Sequence, residues 1–428
     1  MTSYADPVDF VHPRRLHEPW LTFPAYPLLH ELTKDEYDLR VRRARREMAD
    51  HSLDALVITS SAVGGWFTGR MEPHEWHDVC QARSTWYILT HDRDFLLMPP
   101  TTGGEHFSTT RRSSWVTEIS GVVEWTEWPR WELWALEQIP GVFVELKVDR
   151  GRLGFELGDC MTLGITVNDF LRLRELLPHA EFVDGAPAIR RLMSIHTPDE
   201  IDRVRRACTA AVWMHEQVPQ VLRRGMTERA FVDELARRFA GHFQNGYRYD
   251  RETGWDVRNS RRGDSNPYHA AATDRQFQDG DLVARGTSGV SYAGYGGDVD
   301  RMWHLGTPPK AVVDWYRTAW ECSRAMAEQI RPGNRCSDIY AACAKVEQQH
   351  GRPRRQVGRV GHGLRNTGGL SVFPTNHTLL EPGMIISVEP MTSTEYGWVT
   401  VEEQFLVTTA GAEALHPLAP EHLPIVMS

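Results

Sequence analysis

The chain has 428 residues, 41% of them hydrophobic and 25% charged, with a formal net charge of −9. That length exceeds what one hydrophobic core usually fills and predicts about two to three domains, while the acidic balance without a basic block argues against nucleic acid as a partner. No apolar run approaches a membrane span, the 6 cysteines show no paired framework, and MTSYADPVDF lacks the regions of a signal peptide, so a cytoplasmic protein is expected.

Residues 1–32 are rich in proline and aromatics and read as an arm lying on the body or on a partner subunit. Thr33 is a good N-cap with Glu36 three residues on, and Tyr37, Val41, Ala44 and Met48 then recur at helical spacing. Leu53–Thr59 reads as an apolar strand and Trp66–Gly69 as a loop or short strand. Trp86–Leu89 and Phe95–Met98 are predicted strands around the turn His91–Asp94. Val122–Trp125 is a strand, a helix lies near Trp131–Glu137, and Leu153–Glu156 is a further strand. This alternation implies an α/β domain over residues 33–188.

A second domain, residues 189–428, opens at Ser194–Glu200. Thr197 is an N-cap, Pro198 suits the first helical position and Glu200 completes a capping box. A long helix follows, then another from near Thr227. Asp279-Gly280 precedes a strand Asp281–Arg285, and helices occupy about 309–329 and 337–350. The closing stretch, Glu381–Val407, reads as two strands joined through a turn containing Gly397. Glu389 ends the first strand. Glu402 interrupts the second, with Thr400 and Gln404 on its face and Val399, Val401 and Phe405 on the other.

A carboxylate inside such a strand is costly to bury unless it meets a cation, a metal or donors. With His362 upstream in VGHGL, the two glutamates predict a converging polar site, and residue types alone leave a metal site and a salt-bridged core equally open. His74, His77 and Cys80 in HEWHDVC have metal-like spacing without a fourth ligand, so a gating loop or plain packing is the better reading. Gly294, Gly296 and Gly297 in AGYGGD are followed by no helix, which excludes a dinucleotide loop and favours the close approach of a hairpin.

LVITSSAVGGWFTG, TPDEIDRVRRA, NPYH…DGDLV, AGYGGDVDRMW, VGHG, LEPGMIISVEP and VTVEEQFLVT stand in this order, and over about residues 33–420 the chain resembles the creatinase and aminopeptidase P family. The resemblance implies a pita-bread second domain behind a smaller α/β creatinase-like domain. Metallopeptidases of this fold hold two metal ions with two Asp, one His and two Glu. Asp298 matches the second Asp, His362 the histidine, Glu389 the first Glu and Glu402 the second. The first Asp has no counterpart, since the chain reads Ala284-Arg285-Gly286-Thr287-Ser288 where it would fall. The resemblance therefore implies one divalent ion (iron, manganese or zinc), with a metal-free site of the creatinase kind as the second outcome and a dinuclear site as the third.

His269 stands where the family keeps its catalytic histidine, and imidazole suits proton exchange near neutral pH. Glu389 shares the catalytic role. Asp300 resembles a carboxylate that binds the substrate guanidinium in creatinase, with a salt bridge to Arg301 as the alternative. Arg83 matches an arginine presented from the partner subunit to the substrate carboxylate, which implies a homodimer. The stretch Leu364–Leu370 lacks the second histidine of the peptidases. The expected function is hydrolysis of a C–N bond in a small carboxylated or amine-bearing molecule. Alternatives are an Xaa-Pro aminopeptidase or dipeptidase, a metal-dependent lyase resembling dimethylsulfoniopropionate lyase, and a binding protein that has lost catalysis.

Overall fold

The computed structural model describes residues 32–69, 85–98, 114–121, 131–159, 161–249, 257–261, 264–265, 272–287, 289–352, 358–364 and 370–427. Two compact units divide the chain, Met1–Leu192 and Met193–Ser428.

The first unit holds β1 (Ala55–Ile58), β2 (Trp86–Thr90), β3 (Asp94–Met98), β4 (Glu118–Gly121), β5 (Arg152–Phe155) and β6 (Glu181–Asp184). They form one sheet in the order β4-β3-β2-β1-β5-β6. Its helices are α1 (Lys34–Asp50), α2 (Ser61–Thr68), α3 (Trp131–Glu145), α4 (Val167–Leu176) and α5 (Ala186–Ser194). Helix α1 starts as the spacing predicts: Thr33 accepts from the Glu36 N–H, and Tyr37, Val41, Ala44 and Met48 are buried. The stretch Trp66–Gly69, expected as a loop or short strand, instead completes α2. Ser60 caps that helix at Val63 N–H and Gly69 closes it at φ 76°, so local capping outweighs the strand preference of two aromatic residues. Glu156, just past β5, accepts from the Thr59 and Ser60 N–H groups at 2.8 and 2.9 Å, tying the ends of β1 and β5 together. The expected strand Val122–Trp125 lies outside the described residues.

The second unit opens with α6 (Pro198–Val221) and α7 (Glu228–His242). The capping box of α6 forms in both directions, Thr197 with Glu200. Its buried Ala210, Ala211, Met214, Val218 and Val221 meet Phe231, Val232 and Leu235 of α7.

Among the described residues the strands of this unit fall into four sheets. β7 (Tyr247–Tyr249), β11 (Val290–Tyr292) and β12 (Tyr295–Gly296) form one, ordered β12-β11-β7. β8 (Arg258–Arg261), β9 (Asp264–Ser265), β10 (Leu282–Arg285), β13 (Arg301–Leu305) and β20 (Ile425–Val426) form another, ordered β20-β13-β10-β8-β9. β14 (Gly361–Gly363), β15 (Ile385–Val388), β18 (Glu403–Thr408) and β19 (Gly411–Ala414) follow in that order, and β16 (Thr392–Thr394) pairs with β17 (Gly397–Val399). Helices α8 (Lys310–Glu328) and α9 (Cys336–Gln349) bury Cys322, Met326, Ile339 and Cys343 against Ile386, Val388 and Phe405.

The closing stretch departs from the expected strand pair. Residues 392–399 form their own small hairpin, and 400–402 are irregular, so Glu402 stands in the gap between β17 and β18. Val399 and Val401 enter one apolar cluster and Phe405 another.

Candidate functional site

Residues distant along the chain meet at strand ends because two registers bring them there. His362 lies opposite Ser387, and Val388 lies opposite Glu403. Gly361 permits the first pairing, since a Cβ there would meet the Ser387 carbonyl oxygen. Gly297 lets the segment carrying Asp298 reach helix α6, because its Cβ would fall 2.6 Å from the Ala207 carbonyl carbon. That is the close approach expected of AGYGGD.

Two overlapping triads result. Asp298, His362 and Glu402 each offer a ligand atom, and so do Asp300, Glu389 and Glu402; within each triad these atoms lie within 4.8 Å of one another. Glu402 belongs to both. His362 Nε2 stands 3.6 Å from Asp298 Oδ2 and 3.5 Å from Glu402 Oε1. Its Nδ1 lies 3.0 Å from the Gly363 carbonyl oxygen, which assigns the proton to Nδ1 and turns the Nε2 lone pair toward the carboxylates. Ser387 Oγ donates to Glu402 Oε1 at 2.6 Å, and Glu389 N–H donates to the Val360 carbonyl at 2.7 Å.

The charges set the chemistry. Burial first, then the carboxylates of Glu402 and Asp300, push Glu389 well above the usual carboxylate range, against the pull of His362. A group perturbed by desolvation and like charge in such a cluster is a candidate for a functional site. Arg301 does not take the Asp300 carboxylate as its counterion: its Nη2 donates to Glu403 Oε2 at 2.9 Å, and its Nη1 donates to the Asp300 and Glu402 backbone carbonyls at 2.9 and 2.8 Å. The donor set suits a divalent ion. Metal–ligand bonds of about 2.1 Å in tetrahedral geometry separate ligand atoms by about 3.4 Å, close to the spacings around His362 Nε2.

Several supporting residues escaped the sequence reading. Ser387 was within reach of it, two residues before Glu389 along a strand. Gln404 was placed on the face of Glu402, and its Oε1 accepts from the Asp298 N–H at 3.2 Å and from Cys208 Sγ at 2.9 Å. Thr287 Oγ1 accepts from the Val299 N–H at 3.1 Å, and His215 Nε2 lies 2.9 Å from the Val299 carbonyl. A lone histidine in a helix carries no sequence signal for that clamp. His269 and Arg83, the predicted proton shuttle and carboxylate anchor, lie outside the described residues, as do His74, His77 and Cys80.

Fold and cluster together define a hydrolase of the metallopeptidase class with a pita-bread second unit. A model of metallopeptidase family M24 matches residues 202–409, and one of the creatinase/prolidase N-terminal domain matches residues 40–195. The chain belongs to this creatinase, prolidase and aminopeptidase P family. It is 28% identical over 274 residues to a Mycobacterium tuberculosis protein described as probable dipeptidase PepE, covering 61% of this chain and 70% of that one. It is 24% identical over 414 residues to the ectoine hydrolase of Halomonas elongata, covering 90% and 96%. The crystal structure of dipeptidase PepE from Mycobacterium ulcerans shares the fold at a TM-score of 0.75 and 21% identity, over 93% of this chain and 100% of that one. No helix among the described residues is long and apolar enough to cross a membrane.

Proposed function

We propose that the enzyme hydrolyses a C–N bond in a small carboxylated or amine-bearing molecule at a site where Asp298, His362, Glu389 and Glu402 hold one divalent ion. The observation that carries this reading is the meeting of four carboxylates and one imidazole in two triads that share Glu402, with Glu389 raised by burial and by the neighbouring carboxylates, a repulsion that a cation relieves. Iron, manganese or zinc suits three carboxylates and one imidazole, and an ion bound there polarises the scissile group and activates water.

The chain's own residues supply the rest. Asp298, whose backbone Gln404 holds, and Glu402, which Ser387 holds, aim their carboxylates at His362 Nε2. Glu389 accepts and returns a proton at its carboxylate. Asp300 sits beside Glu389 and Glu402 and anchors a positively charged substrate group. His269 delivers a proton to the leaving nitrogen, and Arg83 of the partner subunit receives the substrate carboxylate. Both assignments rest on the family register, and the second requires a homodimer.

The ectoine hydrolase relative, aligned over 90% of the chain, favours a small molecule over a peptide, as does the lack of a histidine in Leu364–Leu370. The PepE relatives favour a dipeptide. Elemental analysis of protein purified without added ions, followed by hydrolysis assays on Xaa-Pro dipeptides, ectoine and creatine, separates the readings. One ion per chain and turnover of a small molecule are expected. No ion, with turnover indifferent to chelators, would place the enzyme on the metal-free route. Release of an unsaturated product without water uptake would mark a lyase, and absence of turnover on every substrate, unchanged in His269→Ala, would mark a binding protein.

A further inference from the structure

We propose that Arg285 binds a small monovalent anion, a halide or an ion of like size, in the core behind the acid cluster. Arg285 ends β10 and is fully buried, with 0% of its surface exposed. Its Nε and Nη1 have no hydrogen-bond partner among the described residues. Its Nη2 reaches only the Met214 sulfur, at 3.7 Å, and its guanidinium carbon lies 5.8 Å from the Tyr249 ring centroid. A guanidinium does not lose its proton in a protein, so the charge stays. A buried charge of this kind is strongly destabilising until an opposite charge and hydrogen-bond acceptors meet it.

The acid cluster does not supply that charge. Arg285 pairs across the sheet with Arg301, so the two start on one face. That face carries Val283, Val299 and Trp303, packed against Met214 of α6. Asp298 and Asp300 alternate with Val299 and leave on the other side. Among the described residues Glu403 is the acid paired with Arg301, and it is already engaged by Arg301 at 2.9 Å, Arg324 at 2.6 Å and the Ala419 N–H at 2.7 Å. Two guanidinium groups thus already share that carboxylate, and Arg285 is not one of them.

The imidazoles there add no negative charge. His215 presents Nε2 to the Val299 carbonyl and leaves Nδ1 unpartnered among the described residues. His416 accepts the Gln404 N–H at Nε2. A water bridging Arg285 to His215 Nδ1 would satisfy a donor and an acceptor, yet it would leave the charge uncompensated. An anion does both for Arg285, bringing the opposite charge and accepting from Nε or Nη1, the two nitrogens left open on opposite sides of the guanidinium.

The test compares the full-length protein in chloride, bromide and gluconate at equal ionic strength. The wild-type Tm is expected to rise by several degrees and to saturate as chloride or bromide replaces gluconate, as linkage to a site in the folded state requires. Arg285→Met should abolish that rise without lowering the Tm in gluconate. Equal wild-type Tm values in chloride and gluconate, or an undiminished response in Arg285→Met, would overturn the proposal. Should Arg285→Met not fold, bromide-soaked wild-type crystals decide the point: an anomalous peak at the guanidinium supports it and a featureless map there overturns it.

Discussion

Glu403→Gln is the substitution that most directly tests how the acid cluster is supported. Glu403 is fully buried, and its side-chain oxygens accept from Arg301, Arg324 and the Ala419 N–H. The change keeps the shape and removes the charge. The Arg301 side chain is 9% exposed and that of Arg324 22%, so Arg324 regains some hydration and Arg301 almost none. Removing one partner of a buried pair costs about 3–5 kcal/mol, and partial rehydration of Arg324 puts the expected loss near the lower end, about 3 kcal/mol. The new amide also turns donors toward the donors already present, which leaves one buried N–H unsatisfied. Urea unfolding followed by tryptophan fluorescence and circular dichroism reads the effect. With slopes of about 1–3 kcal/mol per molar urea, the midpoint should fall by about 1 M or more. A loss below about 1 kcal/mol, typical of an exposed pair, would refute the reasoning by showing that water reaches both guanidinium groups.

Ser387→Ala removes the 2.6 Å hydrogen bond to Glu402; metal affinity, read by competition with a chromogenic chelator, should weaken about 10–100-fold. Glu389 binds protons more tightly folded than unfolded, so its contribution to metal-free stability is full below about pH 4.5, the ordinary glutamate value, and is lost as pH rises through the folded value. Urea titrations of metal-free protein should therefore show stability declining toward neutral pH in the wild type, with a flatter profile in Glu389→Gln. His215 is shifted the opposite way by burial: its contribution is present above about pH 6.5 and fades on acidification, and a thermal-melt series should lose part of that acid slope in His215→Gln. Gly297→Ala would set a methyl 2.6 Å from the Ala207 carbonyl carbon; thermal unfolding should show a loss of about 1–3 kcal/mol.

Much of the site was legible before any fold was in hand. Asp298, His362, Glu389 and Glu402 sit in short patterns whose order along the chain identifies them, and the structure gathers all four. The family resemblance proposes Asp300 as a substrate contact; its place beside Glu389 and Glu402 comes only from the fold. The supporting layer was less visible. Ser387 and Gln404 required knowing which strands pair, and His215 required knowing which helix covers Val299. Trp66 and Phe67 misled in the other direction, because a serine cap and a left-handed glycine settle eight residues as a helix.

The amino-acid sequence by itself determined the helix starts at Thr33, Thr197 and Thr227, because capping is written within a few neighbouring residues, and the order of its motifs, through the family resemblance, pointed to Asp298, His362, Glu389 and Glu402. Only the tertiary structure decided that Glu402 serves two triads, that Glu389 is pushed toward protonation, and that Arg285 stands buried without a countercharge among the described residues. Those outcomes depend on strand register between segments far apart in the chain, and the strength of an electrostatic interaction depends on distance and burial, which no local pattern encodes.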